Sequence, residues 1–171
     1  MKLSKFLTAV LVAAFLAGCK KTETAAATRS IDDSLPTHAQ PKLPTIKIYL
    51  GAETLAAEMA LTEIQERTGM MFRTNILDTD AMLFVFPFPQ RAAFWMKNCP
   101  ESISAAYISP DGVIQEIHHL EKEDTNTVFS ATENIGYVLE TKDGWFARHN
   151  IYTGTVIRTE KGSLSETFFG K

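Results

Sequence analysis

Met82–Leu–Phe–Val–Phe86 is apolar at every position, and Arg91–Ala–Ala–Phe–Trp–Met–Lys–Asn98 follows it after a proline-flanked break. A short run with no polar position reads as a strand covered on both faces. The second segment alternates if extended, with Ala92, Phe94 and Met96 on one side and Ala93, Trp95 and Lys97 on the other. Two such runs in succession form the centre of a core. The polar end of the second, Lys97–Asn98 with the Cys99 thiol one residue on, is the natural place for a site.

The first 19 residues read as a targeting segment. Lys2 and Lys5 form a basic start, and Phe6 to Leu16 is an apolar stretch too short to span a bilayer. Leu16–Ala–Gly–Cys19 resembles a bacterial lipobox, in which Cys19 would be acylated, with palmitate among the chains, and become the mature N-terminus. Acyl chains contribute about 0.8 kcal/mol per buried CH₂, so the expected partner is a lipid bilayer. Lys20 and Lys21 follow where an inner-membrane retention Asp commonly stands. The expected location is therefore the cell envelope, facing the periplasm, at the outer membrane rather than the inner.

Two of the 17 basic residues and none of the 20 acidic ones precede Cys19, so the mature chain carries a net charge of −5. Nucleic-acid binding rests on clustered cations and is not expected. There are two cysteines. With Cys19 acylated, Cys99 has no partner for an intrachain disulfide, and stability must come from the core.

Residues 20–44 read as a flexible linker, rich in Thr, Ala and Ser with three prolines and almost no large apolar residue. Residues 45–159 read as one globular domain. Thr45–Leu50 alternates as a strand, Thr54–Ala60 returns, and Thr62 with Gln65 forms a capping box for a short helix with Ile64, Thr68 and Met71 on one face. Ala81–Phe86 is a strand stopped by Pro87 and Pro89, and Ala92–Lys97 is the next. Ser104–Ser109 and Val113–His118 flank a Pro110–Asp–Gly112 turn. Tyr137–Thr141 is a strand, Asp143 a cap for a short helix, Thr153–Arg158 a last strand, and residues 160–171 a polar tail. The expected class is α+β, mostly β: a single compact barrel-like or sandwich domain with two short helices.

Arg67–Thr–Gly–Met–Met–Phe–Arg73, Met82–Leu–Phe–Val–Phe86, Phe94–Trp–Met–Lys–Asn98, Asp111–Gly112, Val138–Leu–Glu140 and Gly144–Trp145 occur in an order that resembles domain-of-unknown-function family 192. The resemblance covers roughly Thr45 to Ile157. It implies a compact, mostly β domain with short helices and no established activity. It also implies a Pro–Leu–Asp where this chain has Ser102–Ile103–Ser104, which puts carboxylate chemistry at that strand in doubt.

The candidate ligand-binding residues are Trp95, Lys97, Asn98, Arg67 and Arg73. An indole face, a cation and an amide can line a pocket; two guanidiniums can hold a carboxylate or phosphate. The competing readings place Trp95 in the core, let Lys97 snorkel outward, and give the arginines to a structural ion pair with an acid such as Glu140. Cys99 reads as an inert thiol. His118 and His119 point to opposite faces of a strand and cannot share a metal. No catalytic residue, metal or cofactor is expected. The overall expectation is non-catalytic binding of a small polar or anionic ligand or an envelope component. The alternatives are an envelope hydrolase acting on glycans or peptides, and a structural accessory of an envelope complex.

Overall fold

The structure, a computed structural model, describes Leu35 to Gly170. The targeting segment, Cys19 and the first part of the linker lie outside the described residues.

Ten strands and three short helices follow one another as β1 (Thr45–Leu50), β2 (Glu53–Ala60), α1 (Glu63–Thr68), β3 (Ala81–Gln90), β4 (Ala93–Phe94), β5 (Ile103–Ile108), β6 (Ile114–Leu120), β7 (Val128–Phe129), β8 (Ile135–Lys142), α2 (Trp145–Arg148), β9 (Ile157–Thr159), β10 (Gly162–Ser163) and α3 (Leu164–Phe169). Eight strands form one sheet in the order β10-β9-β1-β2-β3-β8-β5-β6, and β4 pairs with β7 in a small second sheet. All neighbours are antiparallel except β2 and β3. The large sheet curls into a half-barrel. Val113 and Val156 form a bridge, and the Ile157 amide donates to the Gly112 carbonyl at 2.8 Å. This joins the start of β6 to the approach of β9. Gly112 turns there with φ +80°, and a Cβ would lie 2.9 Å from the Ile157 carbonyl oxygen.

The curled sheet is covered on both faces. Leu83 and Val85 of β3 pack with Ile48, Leu50, Ile108, Leu139, Trp145 and Leu164. Met82, Phe84 and Phe86 point the other way, to Met70, Met71, Met96, Tyr107 and Val138. The all-apolar run in β3 thus has a buried partner for every side chain, as its composition predicts. In β1, Ile46, Ile48 and Leu50 are buried and their neighbours exposed, as the alternation predicts.

Several expectations need correction. Pro87 and Pro89 do not end β3, which runs to Gln90. The register with β8 shifts between Val85 and Gln90, so the prolines sit exposed in an irregularity that asks no donor of them. Ala92–Lys97 is not a central strand. Its alternation is real, with Ala92 and Met96 buried, but only Ala93–Phe94 pair, and with β7. Ile64 is 61% exposed rather than core-facing. Asp143 does not cap α2. Gly144 holds that position in a left-handed conformation, and Asp143 instead meets His119 and Ser104.

The polar-tail reading of residues 160–171 also fails, because β10 and α3 lie there. Ser163 and Glu166 form a capping box, Leu164 is buried, and the Phe168 and Phe169 rings lie 6.2 and 6.3 Å from that of Tyr137. Among the described residues the helix count is therefore three, not two. The linker is shorter than its composition implies. Gln40 Nε2 donates to the Gly69 carbonyl at 2.9 Å, and the Leu43 amide to Glu58 Oε2 at 2.8 Å. Polar partners on the domain hold this stretch in place without a hydrophobic core of its own.

Candidate functional site

A cleft of about 400 Å³ opens on the Met82–Phe84–Phe86 face. Three segments build it: the C-terminal half of α1 with Gly69–Met71, the inner part of β3, and Arg91–Trp95 with Cys99. The capping box at Thr62 and Gln65 starts α1, and Gly69 ends it with φ +47°, donating its amide to Gln65 O. A Cβ at Gly69 would stand 3.3 Å from the Phe84 ring and 3.8 Å from Glu140 Oε2. Glycine therefore serves both the turn and the close approach.

The chain past Gly69 is fastened to the Lys97–Asn98 turn. Phe72 and Asn98 both have positive φ, and the Phe72 amide donates to the Asn98 carbonyl at 2.7 Å. On the far wall, fully buried Ser130 holds Ala92. Its Oγ accepts from the Ala92 amide at 2.9 Å, and its own amide donates to Ala92 O. Arg91 lies along this edge, its guanidinium 4.8 Å above the Phe129 ring and its Nε donating to Ser130 O. Phe94 meets Phe84 edge-to-face at 5.0 Å.

Glu140 lies at the floor. It stands on β8 opposite Met82 of β3 and Ala105 of β5, at the centre of the sheet. It is 4% exposed, and among the described residues its Oε2 has no hydrogen-bond partner. Burial pushes the carboxyl up to about 8, with the charge of Arg73 only partly opposing. Beside it, burial and then the charge of Glu140 push the Cys99 thiol up to about 12. Cys99 is thus protonated at neutral pH and not an activated nucleophile.

The five candidate binding residues separate. Trp95 and Arg67 line the cleft; Lys97, Asn98 and Arg73 do not. Trp95 is 36% exposed, at the mouth rather than in the core. Lys97 Nζ lies 5.5 Å from the centre of the Trp95 ring. The main chain of Asn98 serves the turn. Arg73 forms a two-pronged ion pair, Nη1 to Glu58 Oε1 at 2.6 Å and Nη2 to Oε2 at 2.8 Å. The structural ion pair read for the arginines therefore exists, but its acid is Glu58 rather than Glu140. Burial raises the Glu58 carboxyl, but the hydrogen bonds from Arg73 and Leu43 outweigh it and hold the group below its usual range. Arg67 and Arg73 do not converge on one opening.

Sequence reasoning weighed Glu140 only as an ion-pair partner. The signal was present, since period two puts Glu140 on the same face as Val138 in a strand otherwise buried. Ser104 accepts from the Gly144 amide at 2.9 Å and donates to Asp143 Oδ1 at 3.2 Å, so it organises the β8–α2 corner away from the cleft. Among the described residues, no three His, Cys, Asp or Glu side chains are gathered as metal ligands would be, and no helix is long and apolar enough to cross a membrane.

The profile of a sequence family, DUF192, described as Uncharacterized ACR, matches residues 46–159. The chain belongs to the DUF192 family. Its fold is shared by solved structures. A proposed transcription regulator from Sinorhizobium meliloti 1021 is 25% identical, with a TM-score of 0.66 over 71% of this chain and 98% of that one. A protein of unknown function from Novosphingobium aromaticivorans DSM 12444 is also 25% identical, with a TM-score of 0.65 over 70% and 90%. No curated protein matches the chain. Within the DUF192 match fall both walls of the cleft and its floor: Gly69, Phe84, Phe94 and Glu140.

Proposed function

We propose that this DUF192 protein is a lipid-anchored, periplasm-facing binding domain of the cell envelope, whose cleft takes a small ligand with a polar head and an apolar body. The observation that carries the reading is a cleft of about 400 Å³ with aromatic and methionine walls and a nearly fully buried carboxyl at its floor. Concave, mostly apolar sites with a few placed polar groups are what small-molecule binding uses. An anionic head belongs at the rim, near Arg67 and Arg91, and not at the floor, where it would face Glu140. The anchor rests on Leu16–Ala–Gly–Cys19. Cys99, the thiol beside the carboxyl, is held protonated by its surroundings, which disfavours hydrolysis through a thiolate nucleophile.

The test uses the full chain extracted from its own membranes. Native mass spectrometry should find a small bound molecule on the wild type. That molecule should be lost from Ala93→Trp, which fills the mouth. In parallel, Cys19→Ala should abolish labelling with radioactive palmitate. A chain that carries nothing, or a bound mass that Ala93→Trp retains, would overturn the cleft reading; undiminished labelling would overturn the anchor.

A further inference from the structure

The floor of the cleft is unbalanced in a way that points to one chemistry. Glu140 Oε2 is a buried acceptor with no donor among the described residues. A buried polar atom without a partner is costly and rare. The nearest cation does not supply the missing donor, because Arg73 directs both terminal nitrogens at Glu58. Nor do the neighbouring backbone amides. Gly69 donates to Gln65 O, Met71 to Thr68 O and Cys99 to Met96 O, while the Thr68 hydroxyl donates to Ile64 O. These donors are thus committed within the fold, the Cys99 thiol is at most a weak donor, and what the floor lacks is a strong hydrogen-bond donor. Gly69 keeps side-chain atoms away from the carboxyl, since a Cβ there would stand 3.8 Å from Oε2. The walls above are the rings of Phe84, Phe86 and Phe94, whose faces attract cations.

We propose that the cleft takes a primary amine, with its ammonium against Glu140 and its apolar body against the wall that Phe84, Phe94 and Met70 form. An ammonium brings three donors and a positive charge to an acceptor that has neither. A hydroxyl brings one donor and no charge. A carboxylate or phosphate brings only further acceptors. Arg91, exposed along the cleft edge, suits an acidic group at the outer end of the ligand. This inference rests on the cleft being a binding site.

Protonation gives it a second signature. Glu140 must ionise to pair with an ammonium, and its carboxyl is raised to about 8 by burial. The ionisable groups around it are Arg73 beyond α1, Cys99 after β4 and Tyr107 on β5, with Glu66, Arg67 and Arg91 in the cleft walls. Affinity for an amine should rise about tenfold per pH unit from pH 6 to near pH 8 and then level off.

The experiment is isothermal titration of the full chain in detergent with 2-phenylethylamine, 2-phenylethanol and phenylacetate, each blanked against micelles alone. The amine should bind at least about tenfold more tightly than the alcohol at pH 8, and phenylacetate least. Glu140→Gln should level amine and alcohol and remove the pH dependence, while an unchanged near-ultraviolet circular dichroism spectrum reports an intact fold. An amine preference that survives Glu140→Gln, or phenylacetate binding as tightly as the amine, would overturn the proposal but leave a binding cleft. Failure of all three probes to bind would overturn both.

Discussion

Leu83 and Phe84 are neighbours on β3, yet their side chains enter two differently built halves of the core. Leu83 joins aliphatic side chains, Trp145 and Phe146, sealed beneath α2 and α3, with neither tryptophan nor leucine reaching water. Phe84 joins a half in which methionines and a thiol stand among aromatic, branched aliphatic and small residues. That half carries the buried carboxyl and opens to the cleft. Both halves exclude water from most of their side chains, so burial alone does not distinguish them. The difference lies in chemistry. No methionine is among the buried side chains of the closed half, whereas the open half has pliable Met70, Met71, Met82 and Met96, which adapt to irregular space. One half holds the sheet together; the other tolerates a costly polar group at its centre.

The largest effect should come from the closed half. Trp145 is fully buried, stacked on His149 at 4.3 Å and edge-on to Phe146 at 5.5 Å. Trp145→Ala should cost about 3–5 kcal/mol in denaturant unfolding, at every pH where the wild type folds. A cost below about 1 kcal/mol would mean that the closed half is not the main source of stability.

The intermediate effect has the opposite sign and belongs to the open half. Glu140 rises from the ordinary value of 4.5 to about 8 in the folded chain. A carboxyl raised on folding favours the native state fully below its unfolded value. That contribution is lost as pH rises through the folded value. Glu140→Gln should therefore match the wild type near pH 4 and exceed it by roughly 3–4 kcal/mol by pH 8. Equal stability across this range would show that the carboxyl is balanced by a partner.

The smallest effect tests the boundary of the cleft. Lys97 touches only the outer edge of the site, over Trp95. Lys97→Ala should change stability by less than about 1 kcal/mol and leave cleft binding within about twofold. A large loss of binding would move the site outward to the Trp95–Lys97 edge.

Much of the closed half was legible in the sequence. Alternation in Thr45–Leu50 and the unbroken apolar run in β3 specify which side chains are inside, because period two and full burial leave clear patterns. The Thr62–Gln65 capping box was legible because these two residues satisfy each other's backbone amides locally. The open half was harder. Trp95 and Lys97 were legible as neighbours, but where the cleft lies relative to them depends on which strands meet. Glu140 reaches the floor only through β8 lying between β3 and β5, a pairing that no local pattern encodes. The pairing of Arg73 with Glu58 is likewise a product of topology. The Glu160–Gly170 stretch was misread because polar residues dominate it. Its one fully buried leucine and two ring contacts become visible only against Tyr137.

The one parallel pairing among the described residues, β2 with β3, has a consequence for how such a molecule can change. Parallel neighbours cannot be joined by a tight hairpin and need a crossover of a dozen residues or more. Here residues 61–80 supply it, and they carry α1, Gly69 and the two methionines of one cleft wall. The sheet thus fixes where the crossover starts and ends, but not what it displays in between. The segment behaves as an exchangeable cassette clipped across a constant frame. Substitutions within it can alter what the cleft admits while every register pair in the sheet stays as it is.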